Sequence, residues 1–308
     1  MENVFSRNRK NIPVFYLKFN NSNSMYNFHC LSDWIYIARK MGADYYILCD
    51  NKKLKKKILQ SCKFPDSDIK FLKSDIFIPK KIIKTVSTTS WHNAARAHLT
   101  TFFHSKKNCI KEFWNIDADD TSFMLSPFEI AGFLIKVASY AKANDINIMS
   151  LDMHASRYWG KHWTFGVSYC QNNCDYISII KKEKDLNWRK DFAKIRPHGV
   201  FNLDSYFMYL KNHNILRLAS FNIDNLYFVH WGTVGFRNAY RFIQVEKGNK
   251  MYYPLGINLF GDNKFNMFPT ADDVINFDFG ISEDESIKYF EKKMYKFVKN
   301  NYEQCFGE

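Results

Sequence analysis

Between residues 11 and 145, apolar runs of strand length alternate with segments whose apolar residues recur at helical spacing. No other feature constrains the fold as much. Residues 12–19 read as a first strand, closed by the turn-prone Asn20-Asn21-Ser22-Asn23-Ser24. Residues 25–41 follow with Leu31, Trp34, Ile35 and Ala38 at helical spacing, and Gly42 suits the C-cap. A second strand is expected over 43–50, a basic helix over 52–60, a third strand over 68–72, and a helix over 91–105. Such alternation predicts an α/β fold: a mostly parallel central sheet with helices on both faces. Ligands of these sheets gather beyond the carboxyl ends of the strands, so residues at strand ends deserve the closest reading.

The most distinctive strand end is Phe113-Trp114-Asn115-Ile116-Asp117-Ala118-Asp119-Asp120-Thr121, an apolar run that breaks into three carboxylates. Side chains alternate along an extended chain, so Asp117 and Asp119 are expected to project the same way. Two hard oxygen donors on one side suit a divalent cation, which can in turn hold a phosphorylated ligand. An acidic turn or a helix N-cap would use the same residues. Ser126-Pro127-Phe128-Glu129 then has the form of a helix start, with an N-cap serine, proline at the first helical position and a glutamate able to close a capping box. Asp50, ending the second strand, shares the rim with the acidic cluster.

Composition narrows the partners. The 308 residues are 46% hydrophobic and 24% charged, which is globular rather than disordered. The seven cysteines are scattered; Cys170 and Cys174 could form half a metal site, but no second pair faces them, and free thiols in a reducing cytoplasm suit the spacing better. There is no signal-peptide core, and no segment approaches the ~18 uninterrupted apolar residues that span a bilayer. A cytoplasmic protein is expected, with room for peripheral attachment at the inner face of the membrane. The net charge of +13 favours anionic partners: nucleotides, nucleic acid or an acidic lipid surface.

From residue 146 the pattern shifts to strands and loops dense in aromatics. Asp152 ends one strand, and Tyr158 to Val167 carries Trp159, Lys161, His162, Trp163 and Phe165. Those aromatics suit stacking on a sugar face or packing in a core. A helix over 205–212 follows Asp204, for which that residue is also a ready N-cap. Strands near 215–219 and 226–229 come next, the second delivering His230. Past residue 245 the chain reads as loop, then helix over 282–300.

Asn93-Ala94-Ala95-Arg96 before the acidic strand and Asn115-Ile116-Asp117-Ala118-Asp119-Asp120 at its end together resemble the N-x-A-R and (L/I)-D-A-D-D signature of inverting GT-A glycosyltransferases, above all the large bacterial family 2. The resemblance runs in order from about residue 11 to 237, and its specific part is 93–121. It implies a GT-A (Rossmann-like) domain over 11–245, with a nucleotide-sugar half at 11–145 and an acceptor half at 146–245. A loop and helical extension would occupy 246–308. Departures are visible: Leu203 stands before Asp204 where the family has an acid, the turn after Phe19 lacks the usual proline, and no Q-x-x-R-W motif of processive synthases is present. Transfer of a single sugar is therefore expected.

The resemblance also assigns roles. Asp119 is the first metal ligand, with Asp117 beside it on metal-bound water or ribose, and His230 is a third ligand. Carboxylates suit Mn²⁺ or Mg²⁺, and imidazole favours Mn²⁺. Asp120 either joins the site or caps the turn. Asp50 would meet the nucleotide base or ribose, and Arg96 the diphosphate or the acidic loop. Asp204 would be the base that takes the acceptor hydroxyl proton, with Asp152 as its competitor. Trp159, Lys161, His162 and Trp163 would meet the acceptor. The donor would be a nucleoside-diphosphate sugar, UDP-linked by preference, and the acceptor a glycan or lipid-linked glycan of bacterial capsule or lipooligosaccharide assembly. A retaining GT-A enzyme, a sugar-phosphate nucleotidyltransferase and a basic nucleic-acid-binding protein are the rival readings. No nucleic-acid-binding motif accompanies the charge, so no nucleic-acid partner is expected.

Overall fold

The computed structural model describes residues 12–19, 25–61, 69–73, 78–88, 92–118, 120–122, 127–151, 165–182, 188–195, 201–223, 228–230 and 274–277. In chain order the elements are β1 (Val14–Lys18), α1 (Met25–Met41), β2 (Tyr45–Leu48), α2 (Lys52–Ser61), β3 (Lys70–Leu72), α3 (Lys80–Val86), α4 (His92–Lys107), β4 (Glu112–Asp117) and β5 (Asp120–Ser122). Then come α5 (Pro127–Ala143), β6 (Ile148–Leu151), β7 (Val167–Gln171), α6 (Tyr176–Lys182), α7 (Trp188–Ile195), α8 (Leu203–Asn212), β8 (Leu218–Ile223), β9 (Phe228–His230) and β10 (Val274–Phe277).

The expected α/β architecture is present. Eight strands form one sheet in the order β10-β8-β6-β7-β4-β1-β2-β3. All neighbours pair in parallel except β7, which runs antiparallel to both β4 and β6. Strand alternation splits the apolar residues between two cores. Phe15, Leu17, Trp114 and Ile116 join Trp34 and Ile35 of α1 and Phe133 and Leu134 of α5 on one face. Tyr16 and Phe113 join Leu99 and Phe102 of α4 and Tyr206 and Phe207 of α8 on the other. Burial on both faces explains why the central strands read as nearly continuous apolar runs.

Four helices hand over to strands through one device. Gly42, Cys109, Asp145 and Asn214 follow α1, α4, α5 and α8 with φ of 69°, 54°, 52° and 55°. In each case the next residue's N–H returns to a carbonyl of the last helical turn at 2.9 Å: Ala43 to Ala38, Ile110 to Ser105, Ile146 to Ala141, and Ile215 to Leu210. This is the Schellman-type stop that satisfies orphan helix carbonyls. Only Gly42 announces it in sequence, because cysteine, aspartate and asparagine there carry a less specific signal.

Several elements depart from the sequence reading. β7 begins at Val167, where the reading ended its aromatic segment, and the short helices α3, α6 and α7 were not anticipated. α8 starts at Leu203 rather than 205, and its N-cap is Asn202, whose Oδ1 accepts from the Ser205 N–H at 3.0 Å. β8 starts at 218 because Asn214 first turns the chain, so the strand expected near 215–219 is displaced. Segment 246–308, read as loop and helix, contributes β10, which lies parallel to β8 at one sheet edge. The helix expected over 282–300 lies outside the described residues.

Candidate functional site

Strand order reverses at β1. The chain leaves β1 through α1 toward β2 on one side, and it returns through α4 to place β4 on the other. Loops diverging in this way open a crevice at the carboxyl ends of the two strands, where α/β sheets bind their ligands. The last residues of β1 and β4 are Lys18 and Asp117, direct partners in register. Lys18 Nζ lies 2.8 Å from Asp117 Oδ1; the lysine side chain is 2% exposed and the aspartate 26%. The backbone locks the pair further, because the Ala118 N–H donates to the Lys18 carbonyl at 3.0 Å.

His98 of α4 closes this cluster from the sheet face below. Its Nδ1 lies 2.7 Å from Lys18 Nζ and 3.0 Å from Asn115 Nδ2. Both neighbours are donors, which makes Nδ1 an accepting nitrogen, while Nε2 lies 3.1 Å from Lys18 Nζ and 4.0 Å from Asp117 Oδ1. Burial, and then the Lys18 charge, push the imidazole down from 6.5 to about 3. His98 is therefore neutral near pH 7, and Lys18 is the cation of the cluster. A buried ammonium with a carboxylate and a neutral imidazole has a high desolvation cost, which only near-complete hydrogen bonding offsets.

Asp204 reaches the same rim from α8. Its Oδ1 accepts from the Phe165 N–H and its Oδ2 from Asn202 Nδ2, both at 3.2 Å. The next residue, Gly166, accepts from the Asp117 N–H at 2.6 Å. One short stretch of backbone thus ties Asp204 to the end of β4. The Phe165 ring packs 4.8 Å from both His98 and Phe207, which anchors that stretch. Asp50 is exposed two residues past β2, on the rim as expected, and Asn51 beside it caps α2 by accepting from the Lys53 and Leu54 N–H groups. Arg96 is half-buried in the first turns of α4, which also lie at this rim, and it makes no hydrogen bond or ion pair among the described residues.

The acidic turn leads into β5, which pairs antiparallel with β9 in a separate two-stranded ladder. Asp120 and His230 are direct partners there. Opposed residues of an antiparallel ladder have Cα atoms roughly 4.5–5.5 Å apart. Two of the residues singled out from sequence, far apart in the chain, are thereby placed at one position. Asp119, Asp152, Trp159, Lys161, His162 and Trp163 lie outside the described residues. Among the described residues no group of three His, Cys, Asp or Glu side chains is gathered as a metal cage.

The sequence reading missed Lys18, His98 and Asn115 as members of the site. A signal for the first was available: a lone lysine between Leu17 and Phe19, in phase with the inward Tyr16. Among the described cysteines, Cys49, Cys109, Cys170 and Cys174 are free thiols, as expected. Burial raises the Cys170 thiol well above its usual range and pushes Cys174 up to about 11, so neither is a ready metal ligand. No helix among the described residues is long and apolar enough to cross a membrane.

No protein-family model matches the chain, and no curated protein matches it. Solved structures with a similar trace include the galactosyltransferase LgtC in complex with donor and acceptor sugar analogs. It shares 8% identity, covering 84% of this chain and 85% of that one, at a TM-score of 0.40. An active-site mutant of LgtC shows 9% identity, the same coverages and a TM-score of 0.38. A glycosyltransferase involved in the glycosylation of the major capsid of PBCV-1 shows 10% identity over 69% of this chain and 85% of that one, at 0.36. Likeness at this level decides nothing about this chain's chemistry, which has to be read from its own residues.

Proposed function

We propose that this chain is a metal-dependent glycosyltransferase that moves a sugar from a nucleoside-diphosphate donor, UDP-linked by preference, to a hydroxyl of a glycan or lipid-linked glycan. The observation that carries the reading is the convergence at the β1/β4 crevice. The acidic strand end is there with a buried lysine on Asp117, and the turn that follows brings Asp120 into register with His230. A nucleotidyltransferase or a nucleic-acid-binding protein accounts for the α/β sheet or the charge, but not for this pairing.

The donor set fits Mn²⁺ or Mg²⁺. Asp120 and His230 offer oxygen and nitrogen at opposed ladder positions, and Asp119 adjoins them in sequence. When bound, such an ion neutralises charge that grows on a diphosphate leaving group. Asp117 shares its charge with Lys18, so its part is to hold the end of β4 against β1 and to offer its remaining acceptor capacity to ribose or to metal-bound water. Lys18 balances the Asp117 charge on the crevice floor, so that this pair sets no net negative charge against an anionic donor. Arg96, without a partner among the described residues, is available to the diphosphate at the same rim. Asp50 suits the nucleotide base or ribose.

With inversion, Asp204 is the general base and Asp152 the alternative. One observation favours a second reading, in which configuration is retained and no such base is required. Both Asp204 oxygens already accept hydrogen bonds, from Phe165 and Asn202, and so are engaged in holding the local structure. The anomeric configuration of the product, read by NMR, separates the two.

The test is nucleotide release from a panel of nucleotide sugars with Mn²⁺. Asp119→Ala is expected to lower turnover by about 10²–10³ while leaving the melting temperature unchanged. Undiminished release by that variant, or no release from any donor by the unmodified protein, would sink the proposal.

A further inference from the structure

The chain's positive charge is not spread evenly. Residues 51–90 hold eleven lysines against three aspartates, with no arginine or glutamate, so this stretch carries eight of the net thirteen charges. Five of these lysines lie on α2, at one edge of the fold. β3 is the edge strand of the sheet. α2 packs beside it on one face through Leu54 and Ile58, whereas α3 lies against α4, α6 and α7, where Trp188 Nε1 donates to the Thr85 carbonyl at 2.8 Å. Lys52, Lys53, Lys56 and Lys57 of α2 are exposed, as are Lys80, Lys81 and Lys84 of α3. None of these seven has an ion-pair partner among the described residues, whereas Lys70 of β3 is bound to Asp44 at 2.9 Å and Lys55 lies over the Phe71 ring.

One or two edge lysines suffice to keep a short edge strand from pairing with another chain. The four unpaired ammonium groups of α2, at positions that share one helix face, exceed that need and repel one another, so their concentration requires another explanation. We propose that this edge is an electrostatic docking surface for an anionic lipid bilayer. Every cation of the stretch is a lysine, a mobile point charge suited to a fluid array of headgroups; the arginine forks that read individual phosphates are absent. No large exposed aromatic of the described residues lies in this segment, as stacking on single-stranded nucleic acid would require. Lys52 and Lys53 open a helix that leaves the same rim as Asp117, so a membrane on this edge flanks the mouth of the crevice.

The test is co-sedimentation of the full chain with phosphatidylcholine vesicles, with and without phosphatidylglycerol. The unmodified protein should bind only the vesicles containing phosphatidylglycerol and be released by rising salt. Lys52→Gln, Lys53→Gln, Lys56→Gln and Lys57→Gln combined should weaken binding by at least about tenfold. Lys80→Gln, Lys81→Gln and Lys84→Gln combined should weaken it less, and Lys106→Gln with Lys107→Gln, at the far end of α4, should leave it unchanged. The proposal is overturned if the unmodified protein ignores anionic vesicles, if the α2 variant binds them equally well, or if single-stranded RNA displaces the protein from them.

Discussion

β4 carries a carboxylate–lysine pair at each end, and the two pairs differ in what surrounds them. At the amino end, Glu112 meets Lys142 of α5 at 3.1 Å, with the lysine side chain 43% exposed. The Tyr169 hydroxyl also donates to Glu112, and burial first, then this bond, raises that phenol above its usual range. At the carboxyl end, Asp117 meets Lys18, which is almost wholly buried and shares its donors with His98. Glu112 is 16% exposed, but its lysine partner is solvated whether or not the pair forms. Lys18 has given up water for two protein partners, Asp117 and His98, and no folding need obliges a strand to end that way. A charged cluster held at that cost on the ligand rim of the sheet marks the end of β4 that works on something, while the other end merely fastens a helix.

The sharpest test of this contrast is Lys18→Met. Asp117 would lose its counter-ion and His98 its strongest partner, at a cost of roughly 3 kcal/mol in a denaturant titration. Nucleotide release should fall with it, even at temperatures where the variant remains folded. A loss below about 1 kcal/mol would mean that the two ends of β4 are alike after all.

His98→Gln has a smaller expected effect of about 1–2 kcal/mol, because an amide can replace only part of the hydrogen bonding. It also leaves a signature in pH. His98 titrates near 3 in the folded chain against 6.5 in the unfolded one, so the unfolded state binds more protons between those values. The metal-free protein should therefore lose stability as pH falls from about 6.5 toward 3, and His98→Gln should lose less over the same window. Identical acid slopes in thermal melts would show that the imidazole is not held neutral. Lys142→Met, at the exposed end, should change stability by no more than about 0.5 kcal/mol.

What could be read from sequence follows from the range of the forces involved. β1, α1, β2, α2, α4, β4, α5 and β6 were legible because each has a periodic apolar pattern of its own. β7 was not, because Val167–Gln171 becomes a strand by filling the gap between β4 and β6, and the aromatic run before it drew the reading too far toward its start. β10 likewise owes its existence to the exposed edge of β8. Asp117 stood out because a carboxylate at the end of an apolar run has a local cause. Its partners did not, because Lys18 and His98 become site residues only when a crossover through α3 and α4 folds the chain back beside β1. The Asp120–His230 pairing is of the same non-local kind: each residue was visible alone, and the ladder that unites them was not.

The four left-handed stops after α1, α4, α5 and α8 divide labour between the two edges of the sheet. Every one lies where a helix hands back to a strand, at the edge away from the crevice. That edge is punctuated by geometry repeated four times, and its loops have little freedom to lengthen or change. Among the described residues, none of these stops falls at the opposite edge. A lineage of such chains could therefore rewrite its specificity there, by insertion as well as substitution, while the instructions that end each helix and start each strand stay untouched.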